Sequence, residues 1–221
     1  MHKNFFIDVI ARKPALFAAI LHFNGLDVVE GSPLPDPALK LCAGLPDGTL
    51  EELARNPRAR RHIYALAGNK DSFWDFAEES RCLALLPPDT LADLARFYGA
   101  GLHAKEAARA ILGREVAALR EALGEDAYLY ALQRGQYQAL AGRELFAGRN
   151  RNLSLAERSN LHGREALRLV IAAWPQVLQN RAPVAALSDI AAPPDVQRGL
   201  WFDLKKVLLK EVAPSWAPCF D

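Results

Sequence analysis

This chain lacks an excess of charge of either sign. Its 221 residues hold 27 Lys and Arg against 26 Asp and Glu, a formal net charge of +1. No global field draws such a protein to nucleic acid or to an anionic membrane. Cysteine is scarce and odd in number. Cys42, Cys82 and Cys219 lie far apart without metal-ligand spacing, which argues against a disulfide framework and for a reducing compartment. Long hydrophobic runs are missing too. No stretch reaches the roughly 18–20 apolar residues that span a bilayer. The run FFIDVIARKPALFAAILHF, residues 5–23, is broken by Asp8, Arg12 and Lys13 and reads as neither a signal peptide nor an anchor. G-x-S-x-G, H-E-x-x-H and P-loop patterns are all absent, and with them the sequence signs of those hydrolase and nucleotide-binding chemistries.

What is present is half hydrophobic and rich in Ala and Leu, with few β-branched residues. Ala and Leu lose little conformational freedom in a helix, so the composition predicts an all-α fold. The length fits a single compact domain of about nine or ten short helices, residues 1–221.

The periodicity places these helices. Residues 4–23 predict a helix restarted at Pro14, where a missing N–H costs nothing, with Leu16, Ile20 and Phe23 as its apolar stripe. Residues 24–49 are punctuated by Gly and Pro and predict a loop-rich segment. TLEELARN and PDTLADLARFYG each carry capping-box spacing, Thr49 with Glu52 and Thr90 with Asp93. RRHIYALAGN predicts a helix ending near Gly68, and DSFWDFAEESRCLALL an amphipathic one stopped by Pro87-Pro88. Leu91, Leu94, Ala95 and Tyr98 form the next stripe, with Gly99 and Gly101 as its stop. Three pieces of about ten residues follow, closing on Gly113, Gly124 and Gly135. Helices this short are marginal alone and need mutual packing. Residues 142–153 and 181–195 predict linkers. Between them a helix starts near Ser154 and is kinked at Trp174-Pro175, and the last helix runs from about Asp195 to Ala213.

GAGLHA, residues 99–104, matches a dinucleotide-binding pattern, but that chemistry needs a strand before the first glycine and the preceding LADLARFY is helical. A helix–turn–helix junction exploiting positive φ accounts for the glycines instead. Cys82 and His103, as neighbours in space, would suit a small hydrolase, against the default of a buried cysteine and surface histidines. Arg149, Arg151, Arg158, Arg164 and Arg168 cluster, as do Arg58, Arg60 and Arg61. A nucleic-acid binder would use such groups on phosphates. Glu144, Glu157 and Glu165 are interspersed, however, and Glu165 and Arg168 are spaced as an i,i+3 pair, so a solvated face or protein contact is expected. At the C-terminal end, Leu200, Leu204, Val207, Leu208 and Val212 share one helical face. Lys205, Lys206 and Lys210 take the other, and Trp216 and Phe220 follow the break at Pro214. The segment either docks on its own core or offers a partner surface, since Trp and Arg are enriched at binding hot spots.

Three stretches together resemble a known family: IARKPALF (10–17), YGAGLHAKEAARAILGREVAALREALGEDAYLYAL (98–132) and LLKEVAPSWAPCF (208–220), roughly a quarter to a third of the chain. They resemble the SctK (YscK-type) proteins of bacterial type III secretion systems. The resemblance implies a mainly helical, non-enzymatic adaptor without cofactor or metal. Such an adaptor sits in the cytoplasm at the inner-membrane face, joining the cytosolic domain of the ring protein SctD to the SctQ pods and, through them, to SctL and the SctN ATPase. On this reading no nucleic acid is bound and no segment inserts in the membrane. The candidate partner-binding residues are Arg149, Arg151, Arg158, Lys206, Lys210, Trp216 and Phe220.

Overall fold

Proline and glycine set the ends of the helices in the computed structural model, which describes residues 9, 11–24, 42, 44, 46, 48–66, 72–110, 113–138, 140–182 and 190–220. The protein is all-α, and no strand occurs among the described residues. Most of the 24–49 loop and the centre of the 181–195 linker lie outside them. None of the helices is long and apolar enough to cross a membrane, among the described residues.

The chain divides into two units: residues 1–85 with 218–221, and residues 86–217. The first holds α1 (Pro14–Phe23), α2 (Thr49–Arg55), α3 (Pro57–Leu66) and a 3-10 helix, Glu79–Leu85. Pro14 is at the first helical position, and Leu16 and Ile20 are buried with Phe23 half-buried. Gly48 is the N-cap of α2, at φ +84, so Thr49 is already helical and makes no capping-box bond.

DSFWDFAEESRCLALL is not an α-helix. Residues 72–77 carry no helix, and only 79–85 coil as 3-10. The cause is local. The Asn24 side chain accepts from Phe73 N–H at 2.9 Å and donates to Phe73 C=O at 2.8 Å. Both backbone groups of Phe73 are thereby satisfied without a helix. Phe76 turns into the core and meets Phe23 and Phe73 edge to face, at 5.7 and 5.3 Å. Such pairs add about 0.5–1.5 kcal/mol beyond area burial.

The second unit holds α4 (Pro88–Leu102), α5 (Ala104–Ala107), α6 (Gly113–Leu123), α7 (Glu125–Gln133), α8 (Gly142–Phe146), α9 (Leu155–Ile171), α10 (Gln176–Gln179) and α11 (Pro194–Val207). With α12 (Ala217–Phe220), twelve α-helices stand where nine or ten were expected, counted among the described residues. Pro87 is the N-cap of α4 and Pro88 its first residue, so Thr90 is inside the first turn and caps nothing. Ser154, by contrast, forms a full capping box at α9. Glu157 N–H donates to its Oγ at 3.3 Å, and Ser154 N–H donates to the Glu157 carboxylate at 2.9 Å. Such a cap contributes about 1 kcal/mol. Trp174-Pro175 separates α9 from α10 rather than kinking one helix, because Pro175 is the N-cap of α10.

The helix pair α4–α9 is the centre of this unit. Gly99 and Gly101 do not stop α4 and have no positive φ; both lie inside the helix. They are there for proximity. A Cβ on Gly99 would come within 2.0 Å of Ser159 C=O, and one on Gly163 within 1.9 Å of Ala95 C=O. Gly101 makes a second close approach, to Gly135. Of the three expected glycine stops, Gly113 opens α6, Gly135 opens a 3-10 turn, and Gly124 alone uses a left-handed φ, +79, between α6 and α7.

α11 packs on both α9 and α4, and Leu200, Leu204 and Val207 on it, with Leu208 just beyond, are buried. Fully burying each such side chain contributes about 1.5–3 kcal/mol. From Leu208 to Val212 the helix widens to a π turn, closed by Ala213 N–H on Leu208 C=O at 2.7 Å. Pro214 then disfavours helical geometry at Ala213, whose φ and ψ are −143° and 70°.

Candidate functional site

The close α4–α9 crossing has a chemical consequence. Four residues beyond Gly99, His103 ends α4; one residue before Gly163, His162 faces it from α9. The two imidazoles meet at 2.9 Å, His103 Nε2 to His162 Nδ1, with ring centroids 5.0 Å apart. His162 is completely buried and His103 nearly so, which corrects the expectation of surface histidines for these two, while His62 is exposed. Phe146 of α8 stacks on the outer face of His162 at 4.7 Å.

Polar partners extend the pair in both directions. His103 Nδ1 is 3.1 Å from Glu106 Oε1, and Arg158 donates to Glu106 Oε2 at 2.8 Å. On the other side, His162 Nε2 is 3.1 Å from Asn150 Oδ1. Asn150 sits at φ +52, in the left-handed region, at the tip of the loop between α8 and α9. Asn is one of the few side-chain-bearing residues that enter that region readily.

The electrostatics follow from burial. Burial lowers the pKa of His103, and the neighbouring Glu106 only partly offsets it. Burial, then His103, Arg158 and Arg149, lowers His162 to about 4. For Glu106 burial opposes ionisation, but the hydrogen bonds from Arg158 and His103 outweigh it and hold the carboxyl below its ordinary value. A second cluster lies between α11 and α8. Asp203 accepts from Ala141 N–H at 2.6 Å, yet burial keeps its pKa above the ordinary value. Burial also raises the Tyr98 hydroxyl, with Asp203 adding to it.

The proposed partner-binding residues fall into three groups. Arg149, Arg151, Lys206 and Lys210 are exposed and form no ion pair with another described residue. Arg149 is steadied by donation from its Nε to Leu145 C=O at 2.9 Å. Arg158 is half-buried and committed to Glu106, so it belongs to the histidine cluster rather than to an open surface. Trp216 is half-buried, and Phe220 is 1% exposed and buried in the first unit. Phe220 therefore serves as core and cannot anchor a partner. Its neighbour Cys219 is buried too, which raises its thiol pKa.

The other candidates resolve similarly. Glu165 and Arg168 form the expected i,i+3 pair, but Glu165 is buried, so this is not a solvated face. Arg60 is buried as well, 3.4 Å from His22 Nδ1. Cys82 is 2% exposed in the 3-10 helix, a position that withholds its thiol from solvent. No disulfide joins Cys42, Cys82 and Cys219. Among the described residues, no three His, Cys, Asp or Glu side chains are arranged to hold a metal ion.

The histidine cluster was missed in the sequence, although a signal was there. G-x-x-x-H at 99–103 and H-G at 162–163 put each histidine next to a glycine that marks the crossing. No family model, curated protein or solved structure matches this chain.

Proposed function

We propose that this protein is a structural adaptor of a bacterial type III secretion system. In this reading it works at the cytosolic face of the inner membrane and bridges the cytosolic domain of the ring protein SctD to the SctQ pods. The observation that carries the reading is the resemblance of residues 98–132 to the SctK proteins, with the flanking resemblances at 10–17 and 208–220.

Two features of the molecule support it. The 98–132 stretch runs from the end of α4 through α7 inside one helical unit, as befits a rigid bracket. Elsewhere in the protein Arg149, Arg151, Lys206 and Lys210 are exposed and form no ion pair with another described residue, as befits groups kept for an acidic partner surface. Charged rims of this kind steer encounter and fix register more than they add affinity. The bridge acts by binding, so its loss breaks assembly and not turnover. Co-purification of the full chain with the SctD cytosolic domain and with SctQ tests it. Capture of both supports the bridge, and capture of neither overturns it.

A further inference from the structure

The histidine cluster holds a proton-counting problem. Glu106 Oε1 and Asn150 Oδ1 stand at the two ends of the chain Asn150–His162–His103–Glu106. Both end atoms are acceptors, because Arg158 keeps Glu106 ionised and an amide oxygen has no proton to give. The three gaps in this chain therefore each need an N–H. Two neutral imidazoles bring one N–H apiece. With Oδ1 facing His162, the pair must carry one extra proton, shared between the rings and countered by Glu106.

The alternative arrangement needs no extra proton. If Asn150 turns its amide, Nδ2 donates to His162 Nε2. His162 Nδ1–H then donates to His103 Nε2, and His103 Nδ1–H donates to Glu106. Every polar atom in the chain is again satisfied, with both rings neutral. A buried network tolerates either fully connected state and disfavours anything between.

We propose that His103 and His162 form one shared proton-binding site, whose occupancy sets the orientation of the Asn150 amide and, through it, the state of the loop 147–153. The loop is suited to reporting such a change. Asn150 holds a left-handed turn, its carbonyl accepts from Leu153 N–H at 3.0 Å, and Arg149 N–H is held by Phe146 C=O at 3.2 Å. Glu106 and Asn150 are both exposed, so the chain opens to bulk water at either end. The charged groups facing the pair are Glu106 from α5, Arg158 from α9, Arg149 from the loop and Arg143 from α8. The carboxylate favours the extra proton, and the three guanidiniums oppose it. The neutral state is therefore the resting one at pH 7, acid below the ordinary histidine range loads the pair, and the orientation with Asn150 Oδ1 toward His162 is that of the loaded state. No partner is required, so the device and the adaptor role fail or stand by separate experiments.

The test is a ring-nitrogen NMR titration of the full-length 15N-labelled protein from pH 7.5 to 3.5, with circular dichroism recording the fold at each step. The two rings titrate together, well below the ordinary histidine range, as a coupled pair does. The Asn150 side-chain amide and the backbone amides of 147–153 follow the same midpoint. Asn150→Asp puts an acceptor-only carboxylate at the end of the chain and raises the midpoint by about one pH unit or more, into a range where the fold is kept. Glu106→Gln, at an exposed position, lowers it. Two rings titrating independently near their ordinary value, an Asn150→Asp midpoint unmoved from the wild type, or loop amides indifferent to the titration would each overturn the proposal.

Discussion

Gly99 on α4 and Gly163 on α9 meet backbone to backbone. A methyl group on Gly163 would lie 1.9 Å from Ala95 C=O and 3.0 Å from Gly99 N. Neither obstacle is a flexible side chain, so the helices would have to part. Gly163→Ala is expected to cost about 3 kcal/mol or more, at the upper end of overpacking effects. Gly113→Ala, where nothing lies within 4 Å, is the control. It is expected to be neutral or mildly stabilising, since Ala is the better helix former. Urea denaturation of both variants measures the contrast.

The glycines also show what was legible in the sequence. The stripe Leu91, Leu94, Ala95 and Tyr98 could be read from spacing alone, and all four are buried. Gly99 and Gly101 were visible but misread as a stop, because a lone sequence cannot distinguish a glycine needed for its φ from one needed for its lack of a side chain. That distinction depends on distant partners, α9 for Gly99 and Tyr130, Gly135 and Leu140 for Gly101. The same non-locality hid the His103–His162 pair and the Asn24 side chain that keeps residue 73 out of a helix. The run from Leu200 to Val212, by contrast, carries its apolar face in one continuous segment and was placed closely.

Ser154→Ala removes the capping box of α9, the helix on which the α4 crossing and the histidine cluster both depend. A loss of about 1 kcal/mol is expected, within the usual range for such caps. A fall in the urea midpoint with unchanged slope would show it.

Acid should weaken the fold in a defined window. His162 has a folded-state pKa of about 4 against 6.5 for the free side chain, and His103 shifts in the same direction. The unfolded chain therefore binds protons first as the pH falls. The stability from this pair is fully present above about pH 6.5 and is lost as the pH falls toward 4. The loss is on the order of 3 kcal/mol. Urea melts at pH 7.5, 5.5 and 4.5 give the slope, and His162→Gln should flatten it.

Phe220 separates core from interface in the segment after Pro214. It is buried, so Phe220→Ala is expected to cost about 3–5 kcal/mol. Trp216 is half-buried, and Trp216→Ala should cost less. Thermal melts rank the two. If Phe220→Ala left stability unchanged, the placement of residues 217–220 in the fold would be wrong.

The adaptor account rests most on whether exposed cations without a described ion-pair partner bind a secretion-platform partner. Arg151→Glu with Lys210→Glu reverses two of them outside the core, so melting should barely change. The direct measurement is isothermal titration of the full chain into the SctD cytosolic domain and into SctQ, for wild type and for this double variant. The account predicts saturable binding of the wild type to both, and at least a tenfold loss for the variant toward one of them, equal to about 1.4 kcal/mol. No heat of binding to either partner from a folded wild-type chain would contradict it.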